Sequence, residues 1–189
     1  MKSAIAIAAV AGLATVASAQ NVGTVTLTSS AATVASGATF TVGVVLSDNI
    51  SGNSVFSFDL SISGTGDYNA AAPVADAGVF GFAGGSDGST VTGLGGSTDI
   101  LGPTLDSSLD GVQVMSFQVT AGAAGVITFD AAAGAVNSAM TYGIEGGIVI
   151  LPGEYDEIIF EGVSITVTPA PSGMALLGLG GLVAARRRR

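Results

Sequence analysis

Hydrophobic and polar residues alternate with a period of two over several stretches of this chain. In Val55 to Ile62, Phe56, Phe58, Leu60 and Ile62 fall on one face while Ser57, Asp59 and Ser61 fall on the other, the pattern of a half-buried strand. Thr39 to Ser47 repeats it with Phe40, Val42, Val44 and Leu46, and Gln113 to Thr120 with Met115, Phe117 and Val119. Val163, Ile165 and Val167 mark a last strand. Weaker candidates are Val22 to Thr28, Val126 to Asp130, Gly147 to Leu151 and edge-like pieces around Val79 and Val91. Turn signals separate them, among them Ser36-Gly37, Ser51-Gly52-Asn53 and Gly64-Thr65-Gly66. Eight or nine short strands without a long amphipathic helix predict an all-β chain, a single antiparallel β-sandwich. A short helix is expected over Ala70 to Ala77, where alanines cluster. The Gly-, Ser- and Asp-rich stretch from Gly81 to Gly111 reads as a mobile surface loop, since one partial copy of a Gly-Gly-x-Gly-x-Asp repeat does not make a calcium β-roll.

The two ends break this pattern and carry all of the basic side chains. Met1 and Lys2 precede an apolar stretch from Ala4 to Val16 and then Ala17-Ser18-Ala19-Gln20. A positive start, a short hydrophobic core and an Ala-x-Ala site are the parts of a secretory signal peptide, with cleavage expected after Ala19. At the other end Pro169, Ala170 and Pro171 lead into an apolar stretch over 172–185, closed by Arg186, Arg187, Arg188 and Arg189. A helix of that length covers roughly 21 Å, short of the roughly 30 Å hydrocarbon core, so as a membrane helix it would need bilayer thinning or snorkelling arginines. The positive-inside rule keeps the four arginines in the cytoplasm and sends the middle of the chain out. Three segments follow: a signal peptide over 1–19, a sandwich over 20–168, and a Pro-Ala-Pro, apolar and arginine-capped segment over 169–189.

Charge sharpens the division. The 189 residues include 5 basic and 14 acidic ones, a formal net charge of −9. Every acid lies between Asp48 and Glu161, and no base lies between Ser3 and Ala185, so the middle alone carries −14. Such a body has no means of neutralising phosphates, which excludes nucleic acid as a partner. The chain also lacks His, Cys and Trp, removing His-assisted catalysis, thiol chemistry, disulfides and zinc sites of the usual ligands.

What chemistry remains rests on carboxylates and three tyrosines. Glu154, Asp156, Glu157 and Glu161 crowd eight positions, a candidate Ca²⁺ site by ligand type, although the Asp-x-Asp-x-Asp-Gly loop is absent. The competing reading is a solvated acidic edge that keeps strands of different molecules apart. Asp106 and Asp110 form a second acidic pair in an expected loop. Asn49-Ile50-Ser51 fits the N-glycosylation triplet, which is short enough to arise by coincidence. Two carboxylates suffice for glycoside hydrolysis, but a chain with 14 acids contains pairs by necessity, and no catalytic residue is assigned.

The order Pro169-Ala170-Pro171, small polar residue, Leu/Gly/Ala-rich segment and terminal arginine cluster resembles the PEP-CTERM sorting signal, a motif also labelled as an ice-binding protein C-terminal domain. The resemblance covers 169–189 and implies recognition by an exosortase-type membrane protease, which cuts at the motif and passes the body towards an exopolysaccharide-rich surface. Ala170 stands where that family usually has Glu. The order of strands in the body is similar to jelly-roll, cohesin-like and carbohydrate-binding-module-like sandwiches, a resemblance of pattern without an invariant motif. The main reading is an exported, non-enzymatic protein of the cell surface or extracellular matrix, structural or adhesive in role. The alternatives are a module binding a carbohydrate or a protein partner, with Tyr68, Tyr142 and Tyr155 as candidate aromatic contacts, and a secreted carboxylate-dependent hydrolase.

Overall fold

The computed structural model describes residues 20–50, 55–76, 79–97, 111–134, 139–145 and 150–170. Every regular element among them is a strand: β1 (Val22–Ser29), β2 (Thr33–Ala35), β3 (Thr39–Asp48), β4 (Val55–Thr65), β5 (Tyr68–Ala70), β6 (Val74–Ala75), β7 (Phe80–Ser86), β8 (Thr90–Ser97), β9 (Val112–Ala121), β10 (Gly125–Ala133), β11 (Met140–Glu145), β12 (Ile150–Glu154), β13 (Glu157–Glu161) and β14 (Val163–Thr168). They form a six-stranded sheet, β13-β1-β3-β9 with β5 and β6 in turn along the far side of β9, and an eight-stranded sheet. In the latter β4 is central: β8 and then β7 lie on one side, and β10 and then β11 line the other, continued by β14 and β2 and by β12.

The core lies between the sheets and follows the alternation. Phe40, Val42, Val44 and Leu46 of β3 and Phe58, Leu60 and Ile62 of β4 are all buried, each contributing about 1.5–3 kcal/mol by leaving water. Phe129 of β10 stands edge-on to Phe117 of β9 at 5.8 Å and to Tyr68 of β5 at 4.9 Å, linking the sheets through one aromatic cluster. One break in the period is informative. Val44 pairs with Met115 and Val45 with Gln113, so Val114 bulges, and Val114 and Met115 are both fully buried despite being adjacent.

Three expectations need correction. Ala70 to Ala77 is not a helix over its described residues: Ala70 closes β5 and Val74–Ala75 form β6, with Pro73 between them. Proline cannot donate to a ladder and is tolerated at a sheet edge, where this segment lies. The first half of the Gly81 to Gly111 stretch is no surface loop but the β7–β8 hairpin, which pairs with β4 and buries Val91 and Leu94. Residues 98–110, with Asp106 and Asp110, lie outside the described residues. The sandwich is also not purely antiparallel, because β13 runs parallel to β1 and β2 parallel to β14.

Candidate functional site

The outer face of the six-stranded sheet is the broadest candidate surface. Its three central strands contain no charged residue between Val22 and Ser29, between Thr39 and Ser47, or between Val112 and Ala121. Alternation turns their apolar residues inward, leaving Thr24, Thr26 and Thr28 of β1, Thr41, Val45 and Ser47 of β3, and Ser116, Gln118 and Thr120 of β9 on the outside. Pairing aligns them in rows: Thr26 with Val45 and Gln113, Thr28 with Gly43 and Ser116, Thr41 with Gln118. The Gln113 side chain lies over Gly43, where a Cβ would stand 2.1 Å from its Oε1 and would displace the amide. Gln113 in turn donates from Nε2 to Asp76 Oδ2 at 2.8 Å, tying the face to the segment after β6.

At that edge the face dips into an open depression of about 310 Å³, lined by Thr41, Ala71, Ala72, Val74, Ser116 and Gln118. Val74 stands at its rim, 66% exposed, the most exposed large hydrophobic residue of the described chain. The small side chains of Ala71 and Ala72, just before Pro73, leave the hollow open. The opposite border is acidic, with Glu157 and Glu161 on β13.

The four carboxylates singled out in the sequence are divided by the fold. Asp156 Oδ2 accepts from the Asn21 amide at 2.8 Å, whereas Glu161 Oε2 accepts from Thr26 Oγ1 at 3.0 Å at the far end of β13. Glu154 ends β12 in the other sheet. No three carboxylates converge among the described residues. The tyrosines are divided as well. Tyr142 and Tyr155 meet edge to face at 5.1 Å; the Tyr155 hydroxyl donates to Asp48 Oδ2 at 2.7 Å, and Asn21 Nδ2 donates to the Tyr142 hydroxyl at 3.2 Å. Both are half-buried. Tyr68 lies at the opposite end of the sandwich, half-buried beside Phe129, its hydroxyl donating to the Ser89 carbonyl. Burial pushes its phenol up, the Gly64 backbone contact opposes this, and Asp87 adds to the rise. The three rings therefore fasten the two ends and make no shared aromatic platform.

Asn49 is similarly occupied: its Oδ1 accepts from the Val22 amide at 2.8 Å and its Nδ2 donates to Gln20 O at 2.9 Å. Asp87, which no sequence motif for function selected, is held below the ordinary carboxylate value, first by the Thr90 amide and then by the Ser89 amide and hydroxyl. Its role is the turn that closes the β7–β8 hairpin. Pro169 and Ala170 follow β14 directly and are exposed. Pro171, Arg186 to Arg189, Ala17 and Ala19 lie outside the described residues, and no helix among the described residues is long and apolar enough to cross a membrane.

No family model and no curated protein matches this sequence. Solved structures do match its fold. The chain superposes on a chain of the CaDoc0917–CaCohA2 complex with a TM-score of 0.52 at 15% identity, covering 79% of this chain and 100% of that one. The seventh ScaB type I cohesin from Pseudobacteroides cellulosolvens gives 0.52 at 11% identity, with 81% and 95% covered. A type I cohesin–dockerin complex from Clostridium thermocellum, Coh-OlpA-Doc918, gives 0.50 at 10% identity, with 77% and 99% covered. The body is a cohesin-like sandwich in fold.

Proposed function

We propose that this chain is an exported, non-catalytic module that binds a protein partner through the outer face of its six-stranded sheet after delivery to the cell surface or extracellular matrix. The observation that carries the reading is the charge distribution on that face. In a chain whose middle bears 14 acids and no base, strands β1, β3 and β9 present threonine, serine, glutamine and valine, and the acids are left to the borders. Depletion of charge at the centre and a polar rim are features of protein interfaces, and the hollow beside Val74 offers a place for an apolar side chain. The fold supports it too, since two of the matched structures contain complexes of such sandwiches with a second protein.

Export rests on the N-terminal apolar segment with its Ala17-Ser18-Ala19 site and on the Pro-Ala-Pro, apolar, arginine order at the C-terminus, which together imply an exosortase-type route. The exposed placement of Pro169 and Ala170 just after the last strand leaves the junction open to a protease. The test uses tagged full-length protein in its native host, compared with the Thr41→Glu/Gln118→Glu double variant. The unaltered protein should retain one partner in fixed stoichiometry after surface fractionation, and the variant should reach the same fraction without it. Equal retention by both would remove the face from the account; absence of both from the surface would remove export.

A further inference from the structure

Across the sheet from Val74, the border strand β13 carries a separate set of features. It runs parallel to β1, with Glu157 opposite Val22, Ile159 opposite Thr24 and Glu161 opposite Thr26. The Glu157 amide donates to Asn21 O at 3.4 Å. In a parallel ladder that phase turns the amides and carbonyls of Glu157, Ile159 and Glu161 toward β1 and those of Ile158 and Phe160 away from it. Among the described residues no strand pairs with that outer side. Ile159 is 43% exposed and Phe160 37%, while Ile158 packs on the core. Glu157, Ile159 and Glu161 share the outer face, with Glu161 steadied there by Thr26.

An open edge with apolar side chains is a template for another strand. A second copy of this chain is a poor occupant on charge grounds. Two β13 strands pairing antiparallel about Ile159 would set Glu157 against Glu161 twice, a parallel pair would set like against like, and the body has no cation to offer. The same glutamates favour the opposite charge. We propose that β13 receives an extended segment of a partner protein in the pattern basic-x-apolar-x-basic, its basic side chains opposite Glu157 and Glu161 and its apolar one beside Ile159. Ile158 and Phe160 supply the main-chain hydrogen bonds, and the two glutamates select the sequence. The proposal rests on the reading of the sandwich as a protein-binding module and adds a second, charge-selective contact at the border of its docking face.

The test is fluorescence anisotropy on the full chain in mild detergent with labelled peptides built around Lys-Thr-Val-Thr-Lys. Three controls accompany it: the peptide with Glu for Lys, the peptide N-methylated at the amides that would face β13, and the Glu157→Gln/Glu161→Gln variant. The parent peptide should bind, the Glu peptide should not, and N-methylation and the double variant should each weaken binding roughly tenfold. Equal affinity of parent and N-methylated peptides would reduce the contact to loose charge attraction and overturn the proposal, as would no binding of the parent. Thr41→Glu/Gln118→Glu should leave peptide affinity unchanged, so failure at the edge is separable from failure of the docking face.

Discussion

Single residues here act mostly through what they fill or satisfy. Phe129 is 1% exposed and touches both Tyr68 and Phe117, so Phe129→Ala opens a cavity where the sheets meet. A loss of about 3–5 kcal/mol is expected by urea unfolding, a large share of an ordinary domain's stability. Gly134 shows the reverse problem, because a Cβ there would stand 1.8 Å from Oδ1 of the buried Asp59. Gly134→Ala should cost about 1–3 kcal/mol in the same assay. Asp87 adds a pH dependence. Its carboxyl in the unfolded chain titrates near 3.8 and in the fold lower, so its contribution is complete above that value and is lost as pH falls through the folded one. Asp87→Asn should therefore destabilise the β7–β8 hairpin at neutral pH, and the difference should shrink as pH falls below 3.8 when amide exchange of Val91 is followed.

At the scale of elements, the strands whose large apolar residues recur at every second position were legible from sequence, as in β3, β4, β9 and β14, although the bulge at Val114 and the burial of Asp59 break the alternation in β9 and β4. Where glycine and alanine replace large side chains, the period carries no signal. Ala83, Gly84 and Gly85 of β7 hid a strand, although Asp87-Gly88, with Gly88 at φ +93°, is a hairpin signal that could have revealed it. The alanines around Pro73 have high helix propensity, yet pairing with β9 outweighs it. β13 was hidden inside an acidic run that drew attention as a metal site; Ile158, Ile159 and Phe160 were its signal. Strand direction was out of reach, since periodicity is the same for parallel and antiparallel neighbours, and so was the uncharged outer face proposed for docking, which exists only once β1, β3 and β9 lie side by side. Glu157 and Glu161 lead to an element-level expectation: Glu157→Gln/Glu161→Gln should associate through β13 at high concentration, seen as a rising sedimentation coefficient, while the unaltered chain stays at its original mass.

For the whole molecule, the chain crosses between sheets at nine of the thirteen connections between its described strands: β1, β3, β5, β6, β9 and β13 lie in one sheet and the rest in the other. Such non-local pairing is slow to form, which would suit the export proposed above, where folding follows translocation. Mature protein from the native host should begin at Gln20 and lack Arg186 to Arg189, as read from its intact mass. The most direct measurement of the central claim is site-specific photo-crosslinking in that host, with the reactive residue at position 41 on the six-stranded sheet or at position 166 on the outer face of the other sheet. A single protein adduct of defined mass from position 41, and none from position 166, is the outcome this account predicts. Adducts from 166 alone, or equal adducts from both, would contradict it.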